Sequence, residues 1–431
     1  MIDLVQLRRE PDVVIAALGR RGVPSETLRE VVALDVEHRR LLQETEALRA
    51  RVKELSRQVG EAHRTGDAAG ADTLSATSRA AGDQERKASE ATDAVATRLR
   101  DILLLVPNLP DDRVPDGTDE SGNVEVRRWW PGLDEGAAFP TFADHQRVPH
   151  WEIGATLGIL DLASGAKIAG SMFPLYRGGG SRLLRALSSF SLDRQRDAYE
   201  EIRPPTFALT ETMMSTGHLP KSADDMYAIE RDGLWAIPTS EVPLTSLHRG
   251  EILEESSLPI RLTAQTQCFR REAGAAGKDT RGVLRVHEFE KVELFAYCTP
   301  EQSDEAFNDI LARAEGLLRE LGLTYRLLTL CTGDLGTASA YTIDLEVYSP
   351  GVDRWLEVSS VSWFRDFQAR RANVRYRRTD GTTALVNTVN GSALGWARVW
   401  AALLETYHQE DGTVALPAVL AGYMGGDATI R

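Results

Sequence analysis

The sequence predicts an α+β protein, in which an antiparallel β-sheet carries helices and is preceded by an antiparallel pair of long helices. Three observations lead to this prediction. Leucine recurs every seven residues near the N-terminus, β-prone runs bounded by turn residues follow from about Phe142, and amphipathic helical patterns lie between those runs. A chain of 431 residues is long enough for two or three domains of this kind.

A heptad repeat that begins at Val31 predicts the N-terminal helices. One core position of the repeat holds Leu34, Leu41, Leu48 and Leu55, and the other holds Val31, His38, Thr45, Val52 and Val59. A break is marked by Gly60, Gly66, Asp67 and Gly70, after which Ala81, Ala88, Val95 and Ile102 repeat at seven. Residues 1–106 are therefore predicted to form a helical domain with a coiled-coil arm about 50 Å long. Most coiled coils serve assembly or spacing, and that interpretation stays open here.

Basic residues are concentrated around the predicted turn of the arm, although the whole chain has a formal net charge of −14. They are Arg49, Arg51, Lys53, Arg57, Arg64, Arg79, Arg86 and Lys87. Nucleic-acid phosphates are bound by lysine and arginine, and the distribution of charge matters more than the total. A locally basic arm on an acidic protein can therefore bind RNA.

The rest of the chain is predicted as a linker at 107–141, rich in Pro, Asp and Gly, and a larger folded domain at 142–431. Residues 227–238 are predicted as a hairpin around Asp232 and Gly233. An amphipathic helix is predicted over 301–321, with Phe307, Ile310, Leu311 and Leu318 inward. Strands are predicted at 323–330, 342–348 and 355–359, and a buried helix at 392–407.

The segment 269–293 is predicted to be part of a ligand-binding hairpin. One strand is expected over 259–270, a loop with Gly274, Gly277 and Gly282 follows, and a second strand returns from Arg285. Alternation then puts Arg285, His287, Phe289, Lys291 and Glu293 on one face. Arginine and lysine match phosphate oxygens and phenylalanine offers a stacking plane, so ATP with an amino acid fits this face. A solvated strand with cross-strand ion pairs fits the same periodicity.

The order of these residues resembles motif 2 of the class II aminoacyl-tRNA synthetases, and the surrounding sequence is similar to the seryl-tRNA synthetase family. Three further segments carry the resemblance, namely PTSEVPL at 238–244, EVSS at 357–360 and NGSALGWAR at 390–398, the last being similar to motif 3. Motif 1, which builds the dimer interface in the family, corresponds to 180–205. The ordered matches cover essentially the whole chain, which makes the resemblance specific.

The resemblance implies ATP-dependent activation of L-serine to seryl-adenylate and transfer to tRNA(Ser), in a homodimer that uses ATP and Mg²⁺ and grips tRNA with its arm. The implied catalytic residues are Arg270 and Arg398. The implied serine-binding residues are Thr239, Ser240, Glu241, Glu293 and Ser392. The implied ATP-binding residues are Arg270, Arg271, Glu272, Arg285, Phe289, Lys291, Glu357, Val358, Ser359, Ser360 and Arg398, and Glu357 and Ser360 would also meet Mg²⁺. His287 is interpreted as structural.

The chain departs from the family pattern at Gln267, Tyr341, Val361, Trp363, Ala393 and Ala397. The family commonly has proline at 267, lysine at 341, asparagine at 363, and glycine at 393 and 397. Because several of these positions are expected in or beside the pocket, a specialised or inhibitor-resistant isoform is one hypothesis. An enzyme that loads an amino acid onto a carrier protein and a tRNA-binding pseudoenzyme are the alternatives.

Composition argues against several other classes. No apolar run reaches the roughly 18 residues of a transmembrane helix, so no membrane partner is expected. The wide spacing of Cys268, Cys298 and Cys331 speaks against a disulfide framework and a thiolate metal site, so no zinc is expected. The N-terminus lacks the apolar core of a signal peptide, and a cytoplasmic location is therefore expected.

Overall fold

A computed structural model describes residues 1–274 and 279–431, which leaves Gly277 of the predicted loop outside the described residues. The chain divides into two compact units, Ile2–Pro107 and Asn108–Arg431, the second of which also includes Met1. The helices are α1 Leu4–Arg9, α2 Pro11–Gly19, α3 Ser25–Thr65, α4 Ala68–Leu105, α5 His150–Thr156, α6 Leu162–Ala169, α7 Gly178–Gln195, α8 Thr210–Thr216, α9 Glu241–Ser246, α10 Ser303–Glu320, α11 Phe367–Ala372 and α12 Trp396–Tyr407. Within the described ranges, none of these helices is both long and apolar enough to cross a membrane.

The strands lie in the second unit. They are β1 Val124–Trp129, β2 Glu200–Glu201, β3 Phe207–Leu209, β4 Ala228–Ile229, β5 Leu234–Ala236, β6 Ile252–Glu254, β7 Ile260–Phe269, β8 Glu288–Cys298, β9 Tyr325–Thr329, β10 Tyr341–Ser349, β11 Arg354–Arg365, β12 Arg375–Arg377, β13 Thr383–Leu385, β14 Asn387–Gly395, β15 Val414–Ala415 and β16 Thr429–Ile430.

Helices α3 and α4 form the predicted antiparallel arm. Gly66 ends α3 in the left-handed conformation at φ 79°, which glycine adopts without a steric penalty, and Asp67 caps α4 by accepting the N–H of Gly70 at 2.9 Å. The hydroxyls of Thr45 and Thr92 hydrogen bond at 3.0 Å inside the helix pair. The predicted turn at Gly66 and Asp67 is confirmed, whereas Gly60 lies within α3.

The main sheet of the second unit has the order β1-β9-β10-β11-β14-β8-β7-β2 among the described strands. Its neighbours pair antiparallel, except that β2 pairs parallel with β7. Helix α10 lies where the amphipathic pattern predicted it, with Phe307, Ile310, Leu311 and Leu318 buried. The predicted hairpin around Asp232 and Gly233 is β4 and β5. The predicted α+β fold is confirmed.

Two predicted element boundaries are wrong. Residues 392–395 belong to β14 rather than to a helix, because Ser392 and Gly395 pair antiparallel with Glu293 and Lys291 of β8. The second hairpin strand begins at Glu288 rather than at Arg285, since the N–H of His287 donates to the carbonyl of Met172 at 2.9 Å instead of to a sheet neighbour. Arg285 and His287 therefore do not share the alternation of Phe289, Lys291 and Glu293.

The sheet also extends into the segment that the composition assigned to a linker. Strand β1 pairs antiparallel with β9 and forms one edge of the main sheet. Arg127 of this strand forms an ion pair with the buried carboxylate of Glu315 on α10. Residues 107–141 thus contribute a strand to the same unit as 142–431.

Candidate active site

A cavity of about 650 Å³ lies against the middle of the main sheet. Strands β8, β11 and β14 provide its floor, and the loops at 217–226, 270–274 and 336–339 provide its walls. The lining includes most of the residues that the sequence indicated, namely Thr239, Glu241, Arg270, Glu272, Arg285, Phe289, Lys291, Glu293, Glu357, Val358, Ser359, Ser360, Ser392 and Arg398. Ser240 and Arg271 do not line it.

One part of the cavity is cationic and aromatic. Arg270 follows the end of β7, and its guanidinium carbon lies 5.2 Å from the centre of the Phe289 ring. Its backbone N–H donates to the carbonyl of His287 at 2.9 Å, which fixes the residue at the mouth of the hairpin. Arg270 makes no ion pair within residues 1–274 and 279–431, so its charge is available to an anionic ligand.

Arg398 supplies the second guanidinium from the first turn of α12. Its Nε donates to the carbonyl of Leu284 at 3.0 Å and its Nη1 to the carbonyl of Glu357 at 2.8 Å. These two carbonyls hold the side chain across the gap between β11 and the segment before β8. The Glu357 carboxylate lies 3.7 Å from the same guanidinium.

A second part of the cavity is buried and polar. Lys291 forms an ion pair with Glu293, and its Nζ donates to the Thr239 hydroxyl at 2.7 Å. Thr239 in turn donates to Glu293 at 3.3 Å and accepts the N–H of Glu241 at 3.2 Å. Burial raises the pKa of the Glu293 and Glu241 carboxyls, and the positive charge of Lys291 opposes this shift. The group is suited to a small ligand that both donates and accepts hydrogen bonds.

Two predicted residues have other surroundings. The hydroxyl of Ser240 is buried and lies 2.7 Å from the hydroxyl of Thr266, behind the cavity wall. The guanidinium of Arg271 donates to the carbonyl of Asp224 at 3.2 Å, outside the cavity. Arg285, which does line the cavity, is paired with Glu272. His287, interpreted as structural, is not part of the lining either.

Acidic residues of β10 and β11 lie side by side next to the cationic part. In the register of the two strands, Asp344 lies opposite Ser360, and Glu346 lies opposite Glu357. Burial and the neighbouring Glu357 carboxylate raise the pKa of Asp344, and its Oδ1 has no hydrogen-bond partner among the described residues. An unpaired buried oxygen beside a carboxylate and a hydroxyl fits a hard divalent cation. Within the described ranges, no group of three or more His, Cys, Asp or Glu side chains is placed to hold a metal by itself.

Several cavity residues were not indicated by the sequence. The half-buried His218 is one of them, and desolvation lowers its pKa to about 3. Thr216 donates its hydroxyl proton to the carbonyl of Met213, so its oxygen accepts from His218 Nδ1 at 2.7 Å. Asn390 and the loop from Gly336 to Ser339 also line the cavity. Asn390 is the first residue of the segment 390–398, whereas His218 and the loop from Gly336 to Ser339 stand in no local pattern that singles them out.

Most of the positions at which the chain departs from the family pattern are not part of the described cavity lining. Ala397 lines the cavity, whereas Gln267, Tyr341, Val361, Trp363 and Ala393 are not among its described lining residues. Tyr341 and Trp363 are cross-strand partners on the opposite face of the sheet, and Arg113 lies 4.4 Å from the first ring and 5.4 Å from the second. The expectation that several departures shape the pocket is therefore wrong for this pair.

The basic residues of the arm are all exposed, but they differ in their partners. Arg49 pairs with Glu85 across the two helices at 3.1 Å, and Arg57 and Arg86 pair with acidic residues on their own helices. By contrast, Arg51, Lys53 and Lys87 have no carboxylate partner within the described part of the chain, and Arg64 and Arg79 reach only backbone carbonyls. The arm thus presents unpaired positive charge on both helices.

Comparison with known proteins identifies relatives over the whole length of the chain. Residues 1–110 match the family "Seryl-tRNA synthetase N-terminal domain", and residues 227–407 match "tRNA synthetase class II core domain (G, H, P, S and T)". A serine–tRNA ligase of Thermomicrobium roseum is 45% identical over 433 aligned residues, which cover 100% of this chain and 95% of the relative.

Two solved structures are similar to this chain over nearly its whole length. The crystal structure of seryl-tRNA synthetase from Pyrococcus horikoshii complexed with ATP superposes with a TM-score of 0.88 at 34% identity, covering 100% of this chain and 99% of that one. The cytoplasmic serine–tRNA ligase of Naegleria fowleri in complex with AMP superposes with a TM-score of 0.83 at 26% identity, covering 98% and 96%.

Proposed function

We propose that this chain, which belongs to the seryl-tRNA synthetase family, activates L-serine with ATP and transfers the seryl group to tRNA(Ser). The observation that carries this proposal is that one cavity combines two guanidinium groups and an aromatic ring with a buried Lys–Glu–Thr group. The first set suits a nucleotide and the second suits a small amino acid with a hydroxyl.

In the first step, the serine carboxylate attacks the α-phosphorus of ATP and diphosphate leaves. Negative charge then builds on the phosphoryl oxygens, and Arg270 and Arg398 would stabilise it without any protein nucleophile. Phe289 offers the plane on which adenine would stack, and Glu272 and Arg285 border the same part of the cavity. Holding both reactants in line supplies much of the rate.

We assign the Mg²⁺ site to Glu357 and Ser360. Mg²⁺ is usually held by one or two carboxylates together with substrate phosphates and water, so the absence of a larger acidic cluster among the described residues is compatible with it. When bound, the ion would neutralise charge on the phosphates that leave. The unpaired Oδ1 of Asp344 behind Ser360 supports a cation at this place.

The serine site is assigned to the buried polar part. Thr239 and Glu241 would hold the ammonium and carboxylate of serine, and Glu293 with Ser392 would accept and donate to its hydroxyl. Ser240, which faces Thr266, would act by supporting this wall rather than by touching serine. A site built to pair a hydroxyl discriminates strongly against alanine, because its polar groups stay unpaired when the hydroxyl is missing.

The proposal is tested by ATP–diphosphate exchange across the standard amino acids, followed by aminoacylation of tRNA. We expect exchange that depends on serine and charging of tRNA(Ser). Exchange without charging would favour the carrier-protein alternative, and lack of exchange would favour a pseudoenzyme. The full-length similarity to serine–tRNA ligases speaks against both alternatives.

We also propose that the arm binds tRNA through its basic residues. Replacing Arg51, Lys53 and Lys87 together with alanine is expected to raise the KM for tRNA and to leave the exchange reaction unchanged, since these residues carry unpaired charge and are not part of the cavity lining. The slope of log affinity against log salt should become shallower by about 2 to 3, because each phosphate contact contributes roughly 0.7 to 0.9.

Arg40 provides the control for the arm. Its guanidinium is already shared by Glu37 and Glu44 on the same helix, so Arg40→Ala should leave both the tRNA affinity and its salt dependence unchanged. If the triple variant charges tRNA with the parental KM, the arm is not the tRNA site.

The proposal further includes a homodimer formed through 180–205, a cytoplasmic location, and a division of work between residues 1–106 and 142–431. Exposed apolar side chains next to the proposed interface support the dimer, since Phe207 and Leu209 of β3 are about half exposed.

A further inference from the structure

We propose that His150, which belongs to none of the ligand-binding motifs, is a positioning residue that holds the wall formed by Val283 and Leu284 in place for ATP. The inference rests on the proposed function and extends it to a residue outside the cavity. Val283 and Leu284 line the cavity next to Arg285 and Phe289. Their position therefore bears on the nucleotide more than on serine.

The hydrogen bonds of His150 determine its tautomer. The backbone N–H of Val283 donates to His150 Nε2 at 3.1 Å, so that nitrogen must carry a lone pair. The proton of the neutral ring is then on Nδ1, which donates to Glu405 Oε1 at 2.7 Å. Both His150 and Glu405 are completely buried, so water does not compete for these bonds. The imidazole thus presents a fixed acceptor to one peptide group of the wall.

Glu405 is held just as firmly. Its Oε1 also accepts the backbone N–H of His150 at 3.0 Å, and its Oε2 accepts from the hydroxyl of Ser349 and from the N–H of Gly351 at 3.0 Å. A buried carboxylate with this many donors has one orientation. The Glu405 side chain therefore locks the His150 ring against the turn between β10 and β11.

The segment that leads from the glycine-rich loop back to β8 packs directly on this histidine. Gly282 has φ +59°, and a Cβ there would lie 2.2 Å from His150 Nε2 and 2.7 Å from Trp151 Cε3. The guanidinium carbon of Arg281 lies 4.9 Å from the centre of the Trp151 ring. Glycine is needed at 282 for the close approach that brings the Val283 N–H to the ring.

Helix α12 carries both Glu405, which holds His150, and the proposed catalytic residue Arg398. Arg398 and Glu405 are seven residues apart and so lie on the same side of the helix. Arg398 binds the carbonyl of Leu284 directly, and Glu405 reaches the N–H of Val283 through His150. One rigid helix therefore fixes two successive residues of the wall, and the same helix carries a proposed catalytic arginine.

The test compares His150→Asn with His150→Gln in ATP–diphosphate exchange. Asparagine reaches only the position of Nδ1 and leaves the Val283 N–H unpaired, whereas the longer glutamine can bring an amide oxygen near the position of Nε2. We expect His150→Asn to raise the KM for ATP about tenfold, as the loss of one buried hydrogen bond does, with the KM for serine unchanged. His150→Gln should recover most of the ATP affinity.

His248 is the control, because it pairs with Glu251 at the surface and does not line the cavity. His248→Gln should behave like the parent. Should His150→Asn fail to fold, Ser349→Ala removes a single donor to Glu405, and it should raise the KM for ATP without changing that for serine. The inference is overturned if asparagine and glutamine give the same KM for ATP, if both substrates weaken together, or if neither constant moves. Absence of serine-dependent exchange in the parent protein would instead contradict the proposed function.

Discussion

Replacing Arg270 with alanine is expected to lower the rate of serine-dependent exchange by about 100- to 1,000-fold or more, the loss that follows removal of one preorganised donor to a developing oxyanion. The Arg270 guanidinium lies over the Phe289 ring and has no carboxylate partner within the described residues, so no internal ion pair competes with the phosphate. Its removal should leave the fold intact, because few contacts depend on it.

Two further variants define the role of Arg270. Arg270→Lys keeps the charge but not the planar fork that matches phosphate oxygens, and it should therefore retain only part of the activity. Arg377→Ala is the control, since Arg377 is exposed on β12 and is not part of the cavity lining. If Arg270→Ala keeps exchange within about tenfold of the parent, the loss is too small for a group that stabilises the transition state.

Glu293→Ala is expected to lower kcat/KM for serine by at least about 100-fold while the binding of ATP alone persists. Glu293 is buried, and the substitution removes both the proposed partner of the serine hydroxyl and the counter-charge of Lys291. A site that hydrogen bonds a substrate hydroxyl loses most of its selectivity against the analogue without the hydroxyl once one of its polar groups is removed. Breaking a buried ion pair by removing one partner also costs about 3–5 kcal/mol of stability.

Thermal unfolding must therefore accompany the kinetics of Glu293→Ala. Glu293→Gln, which keeps the shape and can still accept a hydrogen bond, should lose less stability and should also fall in activity. Glu290→Gln is the matched control, because Glu290 lies on the same strand but faces away and binds Gln265, Gln267 and Ser188. If Glu293→Ala still selects serine over alanine as strongly as the parent protein does, the hydroxyl of serine is recognised by other residues.

Local patterns predicted those elements whose burial is periodic. The heptad repeat predicted α3 and α4 because one stripe of each helix is covered, and the amphipathic pattern predicted α10 for the same reason. The residues of β14 are buried on both faces, so the period of two that marks a strand is missing there. The apolar run that follows then extended the helical pattern backwards to residue 392.

Contacts between distant segments explain the other elements and residues that the sequence did not predict. Strand β1 has exposed Val124 and Val126 and lies among turn residues, so only its ladder with β9 defines it as a strand. In the site, most of the residues that the matched motifs indicated line the cavity, and the distances now show how they are held. His150 was beyond such reasoning, because its partners Val283 and Glu405 come from remote parts of the chain.

The aromatic pair of Tyr341 and Trp363 has a consequence for how this sequence tolerates change. Arg113 lies against both rings, Arg365 lies 5.2 Å from the Trp363 ring centre, and Asp111 binds both guanidinium groups. Replacing Tyr341 with lysine would add a third cation beside these two and remove one ring that lies against Arg113. We therefore expect the two positions to be coupled, so that a substitution at one changes the effect on stability of a substitution at the other.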